Sequence, residues 1–189
     1  MNINQSELSI AGECFAKYGY AKTSLKILSE AMGIATSTFY QHVKSKKDLF
    51  KLVLYDEIEQ FKKLIESVIK KYANPIERIC AYITTRTIGL QKSKNLILVL
   101  NNKQLSRKFL PLQITQKYIN VETKYLEDIL QAGVQKGYFM VEDLKMEASA
   151  IISAIGSLVK VLNQFQIIEK SEEKLYQILN ILLYGVIKS

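Results

Sequence analysis

The sequence predicts an all-α protein of about nine helices, on three observations. Only two prolines and eight glycines interrupt its 189 residues. No stretch alternates apolar and polar residues with the period of a strand. Between residues 23 and 51, two short helical patterns are joined by a glycine, and the second is too polar to be a core helix. A hydrophobic content of 48% with 23% charged residues is ordinary for a globular chain, and this length can bury a substantial core.

The elements follow in order. Leu8, Ala11, Phe15 and Tyr18 recur at helical spacing, which predicts a first helix from about Gln5 to Tyr18. Gly19 stands just past its end, where a left-handed cap is needed. Thr23 or Ser24 caps a second helix that runs to Met32, with Ile27, Leu28 and Ala31 inward, and Gly33 ends it. The third helix, Thr36–His42, is very short, and Ile34, Phe39 and Val43 anchor it to a small core. Ser45 as N-cap with Asp48 at N3 resembles a capping box and opens a long helix to about Tyr72. Asn74-Pro75 then reads as N-cap and first residue of a fifth helix to Gln91. A short sixth helix is expected at Asn95–Lys103, and a seventh from Pro111 to a stop at Gly137. Asp143 caps an eighth to about Ile168, and Glu172–Ile187 forms a ninth.

Bulk properties exclude several classes. The net charge of +8 favours polyanionic partners. Residues 1–50 nevertheless hold six lysines against four acidic residues, so charge alone does not argue for DNA there. Cys14 and Cys80 are isolated thiols in apolar patterns and, with one histidine in the chain, match no metal site. They read as buried reduced thiols of a cytoplasmic protein. The N-terminus lacks the basic and apolar regions of a signal peptide. Residues 148–168 carry Lys160 as their one charge, but too many Ser, Asn and Gln for a membrane span, and read as a buried interface helix. No phosphate-cradling glycine loop, metal cluster or nucleophile motif suggests an enzyme, and no cofactor is expected.

Two short helices, a tight glycine turn and a polar second helix form the pattern of a helix-turn-helix, whose second helix is shaped for the DNA major groove. Thr36, Ser37, Tyr40 and Gln41 would face outward from it. Gln reads adenine edges, Ser and Thr bond several bases, and a Tyr ring meets thymine methyl groups. The alternative is a solvated helix face. Thr23, at the start of the second helix, could present its hydroxyl and backbone N–H groups to a phosphate.

Phe15, Gly19, Thr23-Ser24, Ile27, Ala31, Gly33-Ile34, Thr38-Phe39-Tyr40, His42-Val43, Ser45-Lys46 and Leu49 resemble, in one unbroken register, the N-terminal signature of the TetR family of bacterial transcriptional regulators. The resemblance implies a DNA-binding domain at residues 1–46 and an effector-binding and dimerisation domain at 47–189. It places Thr38, His42 and Lys46 at phosphates, with His42 as a packed polar residue the alternative. Two positions depart from the pattern. Ala35 stands where the family usually has a capping Ser, and Ser37 replaces a common Gly.

The last two helices carry apolar stripes: Ala148, Ile151, Ile152, Ile155, Val159 and Leu162, with Gly156 allowing close approach, then Leu175, Ile178, Leu179, Leu182 and Val186. Part of each stripe must serve the chain's own core, and it is the resemblance that assigns the stripes to a homodimer seam built as a four-helix bundle. It also implies an apolar pocket with a few polar groups in the middle helices. Candidate linings are Tyr82, Arg86, Phe109, Ile114, Tyr118, Tyr125 and Phe165, each of which could equally be core packing. No acidic residue occurs between Glu77 and Glu122, while eight basic residues do. That run is either a solvated basic surface or an attraction for an anionic effector such as an acyl-CoA. The function implied is a ligand-responsive repressor that binds a palindromic operator as a dimer and is released by a small molecule, with no membrane partner. The alternative is an architectural or activator DNA-binding protein with no effector.

Overall fold

The computed structural model describes residues 3–110 and 112–164; within them, the side chains of residues 42, 91, 112–114, 117, 159, 160 and 162–164 are left aside. Nine α-helices occur among the described residues: α1 Gln5–Lys22, α2 Leu25–Met32, α3 Thr36–His42, α4 Lys46–Ile69, α5 Pro75–Lys92, α6 Lys94–Asn101, α7 Lys103–Phe109, α8 Leu112–Gln135 and α9 Leu144–Gln164. The ninth helix expected from sequence, Glu172–Ile187, lies outside the described residues. Among the described residues no helix is long and apolar enough to cross a membrane, and no group of side chains could hold a metal ion.

Side-chain caps set most of the boundaries. Asn4 and Glu7 form a reciprocal capping box at the start of α1. Inside α1, Gly19 adopts φ 78°, ψ 156° and kinks the helix, which resumes for one turn to Lys22. That backbone is strained for any residue with a Cβ. The Ser24 hydroxyl, not that of Thr23, caps α2 by accepting from the Ile27 N–H at 3.2 Å. Ser45 accepts from the Asp48 N–H at 3.1 Å, but the Asp48 carboxylate returns to the Ser45 hydroxyl (2.6 Å), so only half of the expected box forms. The Asn74 and Asp143 caps form as expected.

The sequence reading gave one helix too few before Pro111. Asn102 leaves the helical region at φ −115°, ψ 107° and ends α6. Its side-chain oxygen accepts from the Gln104 and Leu105 N–H groups, both at 3.0 Å, and starts α7.

By internal contacts the chain divides into two compact units. The first comprises residues 1–62 and 92–109, and so holds α1–α3, most of α4, α6 and α7. Phe15, Leu28, Phe39, Leu49 and Leu54 are fully buried there. An aromatic cluster joins three of its elements: Tyr20 lies 5.0 Å from Phe50 and 4.6 Å from Phe109, and Phe15 packs edge-on against Phe50 at 4.8 Å (ring centroids). One first-helix position expected inside lies outside, Tyr18 at 42% exposed; Leu8 is half-buried, and Ala31 of α2 is exposed as well.

A polar junction in the same unit ties α1, α4 and α6 together. The Glu57 carboxylate accepts from the backbone N–H groups of Asn95 (3.2 Å) and Leu96 (2.7 Å), capping an α6 whose N-cap Ser93 makes no side-chain bond. The Asn95 amide donates to Glu57 at 2.8 Å and to the Gly12 carbonyl at 2.9 Å. A carboxylate at a helix N-terminus is favoured by the helix dipole as well as by these bonds. Glu57→Ala strands three donors, one of them on a side chain that is 1% exposed. A loss of about 2 kcal/mol in urea unfolding is expected; unchanged stability would mean that water replaces the carboxylate.

The second unit comprises residues 63–91 and 110–189. Ile79, Ile83, Leu126, Ile129 and Leu130 are buried in it, and α8 and α9 pack together.

Candidate nucleic-acid interface and effector site

Helix α3 presents two faces. Phe39 and Val43, four residues apart, are 0% and 2% exposed and hold the helix to its unit. Ser37, Tyr40 and Gln41, spaced three and four apart, form an exposed face, with Tyr40 59% exposed. Thr36 is exposed too, and its hydroxyl shares a hydrogen bond with the Ser29 hydroxyl at 3.2 Å, which fixes the start of α3 against α2. Thr38 is half-buried, and the His42 side chain lies outside the described residues. Gly33, at φ 68°, ψ 25°, makes the left-handed turn that brings α3 back across α2.

Ala35 is the N-cap of α3 and makes no side-chain cap bond. Its backbone, at φ −64°, ψ 143°, already suits a capping residue. Ala35→Ser should therefore stabilise the protein by about 1 kcal/mol in denaturant unfolding. An unchanged midpoint would mean that Thr36 or Ser37 has taken over the cap.

Two expected phosphate ligands need correction. Thr23 is 0% exposed, its hydroxyl donates to the Gly19 carbonyl at 2.7 Å, and its N–H bonds the same carbonyl at 3.1 Å. Both of its donors serve the end of α1. Lys46 is half-buried; its ammonium donates to the carbonyls of Tyr20 (3.0 Å) and Ala21 (3.4 Å) and lies 4.6 Å from the centre of the Tyr20 ring. One of its three N–H groups is left for a phosphate. Lys44 and Lys47, not singled out from sequence, are the exposed cations of this segment. The basic 44–47 stretch was their signal, but only the structure separates the tethered lysine from the exposed ones.

The expected effector residues do not form one group. Phe109 belongs to the first unit, packed edge-on against Tyr20 and Phe50. The Ile114 side chain and Phe165 lie outside the described residues. Tyr125, half-buried, donates its hydroxyl to Glu66. Tyr82, Arg86 and Tyr118 do meet, around a residue the sequence reading missed. Glu122, 1% exposed, accepts from Arg86 Nε at 2.7 Å, Arg86 Nη2 at 3.2 Å and the Tyr82 hydroxyl at 3.1 Å. Its signal in sequence is that it is the first acid after the acid-free run. Burial would lower the pKa of Arg86, but the Glu122 carboxylate and the neighbouring phenols outweigh it and raise it. Burial, then the Glu122 charge, raises the phenols of Tyr82 and Tyr118. The charges of Arg86 and Glu122 cancel, so Arg86 is not the lone cation that would attract an anion. Arg86 Nη1 is buried without a hydrogen-bond partner among the described residues.

The dimer stripe is also corrected in part. Ile152 and Ile155 are 6% and 1% exposed within the single chain, so they belong to its own core. Ile151 and Gly156 are half-buried. The Val159 and Leu162 side chains, and Leu175, Ile178, Leu179, Leu182 and Val186, lie outside the described residues. The exposed face of α9 is instead Met146, Ala150, Ser153, Ser157 and Val161, at helical spacing.

Comparison with known proteins bears on both regions. Residues 8–53 match the family described as bacterial regulatory proteins, tetR family. The chain is similar to the fatty acid metabolism regulator protein of Bacillus subtilis, 27% identical over 133 residues that cover 69% of this chain and 67% of that protein. It is also similar to the HTH-type transcriptional repressor KstR2 of Mycolicibacterium smegmatis, 23% identical with 70% and 65% covered. The matched stretch thus spans about two thirds of the length of these relatives. Among solved structures, the transcriptional regulator FadR from Bacillus subtilis in complex with stearoyl-CoA shares the fold, with a TM-score of 0.69 at 23% identity over 95% of this chain and 97% of that one.

Proposed function

We propose that this chain, whose residues 8–53 match the family of bacterial regulatory proteins, tetR family, is a transcriptional repressor and not an enzyme, binds its operator as a dimer and is released by an acyl-coenzyme A. The observation that carries the DNA-binding part is the divided α3, whose exposed Ser37, Tyr40 and Gln41 are held out by buried Phe39 and Val43. Ser37, Tyr40 and Gln41 read base edges, with Thr36 at the helix start. Thr38, His42, Lys44, Lys47 and the remaining Lys46 donor take phosphates, which set register and not sequence.

A palindromic operator requires a two-fold protein. The exposed face of α9 supplies a seam, together with the C-terminal stripe from Leu175 to Val186. Gel filtration showing a monomer at micromolar concentration would count against it.

The effector reading rests on two supports. The solved FadR structure to which this chain is similar holds stearoyl-CoA. In this chain the Arg86–Glu122 pair is neutral, and the buried Arg86 Nη1 has no hydrogen-bond partner among the described residues. An uncharged acceptor such as a thioester carbonyl suits that donor better than a second carboxylate would.

The test is an anisotropy titration of the full-length protein on a duplex selected from a random pool, with and without stearoyl-CoA. Specific binding that weakens by about tenfold or more on adding the thioester is expected. Specific binding indifferent to acyl-CoA of any chain length would leave a DNA-binding regulator without this effector.

A further inference from the structure

We propose that α7 is a second DNA-contacting element, a basic helix that engages the phosphate backbone beside the helix-turn-helix. The inference rests on the DNA-binding reading above but not on the effector reading. Residues 92–109 contain Lys92, Lys94, Lys103, Arg107 and Lys108 and no acidic residue. All five are exposed, and the segment belongs to the same compact unit as α3.

The five are not equivalent. Lys92 and Lys94 line a groove of about 640 Å³ together with Glu13, Asp56 and Glu57, so acids face them closely. Lys103, Arg107 and Lys108, all on α7, form no ion pair among the described residues. Lys108 is placed through Tyr20. The Lys108 ammonium lies 5.0 Å from the centre of the Tyr20 ring, and Lys46 lies 4.6 Å from the same centre. The two ammoniums are therefore less than about 10 Å apart, within one Debye length at ordinary salt. The acid that bears on this corner is Asp48, which acts on Tyr20 and is hydrogen-bonded by Ser45.

Three observations point to DNA as the occupant. Lys108 shares the Tyr20 ring with Lys46 of the basic segment that opens α4. The α7 cations sit in the unit that carries the base-reading face. Their charge is exposed and paired with no carboxylate among the described residues, which fits a polyanion recognised by backbone and not by sequence. A coenzyme A moiety offers the same phosphate chemistry, so the experiment must separate the two.

The full-length protein is titrated against its operator and against a random duplex across a range of salt concentrations. The variants are Lys103→Gln/Arg107→Gln, which leaves the Lys108–Tyr20 contact intact, and the triple variant that adds Lys108→Gln. The slope of log affinity against log salt should become shallower by about 0.9 for each phosphate contact removed, with the same fold-loss on both duplexes. Stearoyl-CoA affinity should not change. An unaltered slope with wild-type operator binding would overturn the α7 proposal while the helix-turn-helix reading stands. A loss confined to the operator, or a loss of stearoyl-CoA affinity with an unaltered DNA slope, would also overturn it. Failure of the wild type to bind any duplex would sink both.

Discussion

Replacing Tyr40 with alanine is expected to weaken operator binding by about tenfold to a hundredfold, with little change in binding to random DNA and none in the unfolding midpoint. The magnitude is that of one good base contact, about 1–3 kcal/mol. The separation of effects follows from the structure. Tyr40 is 59% exposed, so its ring contributes little to the core, while its neighbour Phe39 is 0% exposed and carries the packing. Phe39→Ala should do the reverse and unfold the small unit before any question of binding arises. The test is paired: anisotropy on specific and random duplexes, and urea unfolding of the same preparation. Wild-type operator affinity in Tyr40→Ala would remove α3 as the reading helix.

Arg86→Met is expected to cost about 3–5 kcal/mol of stability, much of the margin of an ordinary domain. The guanidinium and the Glu122 carboxylate have side chains 11% and 2% exposed, so the variant leaves a buried carboxylate with only phenol donors. Arg86→Met/Glu122→Gln removes both charges and should recover most of the loss, because the penalty comes from the unpaired ion and not from the missing bridge. Chemical denaturation of the wild type, the single and the double variant closes the cycle. A single variant as stable as the wild type would show that Glu122 is reached by water or takes up a proton at no cost.

The parts legible in sequence were those fixed by local chemistry. The Asn74-Pro75 and Asp143 caps and the glycine turn at Gly33 depend on neighbours within a few residues, and all three sit where the sequence placed them. The outward and inward sides of α3 also follow from its own period. What the sequence did not reveal depends on partners distant in the chain. Thr23 is the local exception: it has the residue type and position of a phosphate ligand, yet its hydroxyl turns back to Gly19, four residues earlier. Arg86 looked like a free cation until Glu122, 36 residues on, was found against it. Phe109 has the character of a pocket residue but packs edge-on against Tyr20 instead. On α9 the large aliphatic residues suggested a seam, but Ile152 and Ile155 are used by the chain's own core. Periodicity identifies a buried face without saying whose burial it serves.

Asn102 carries a consequence for how these helices can evolve. One amide both follows the end of α6 and caps the start of α7, so the break between two helices is written in a single codon. A good helix former there would let residues 94–109 wind on as one rod, rotating Phe109 away from the ring it meets. Drift at this site is thus confined to short acceptor side chains. A descendant that lost the acceptor would change which helices exist, not merely how stable they are.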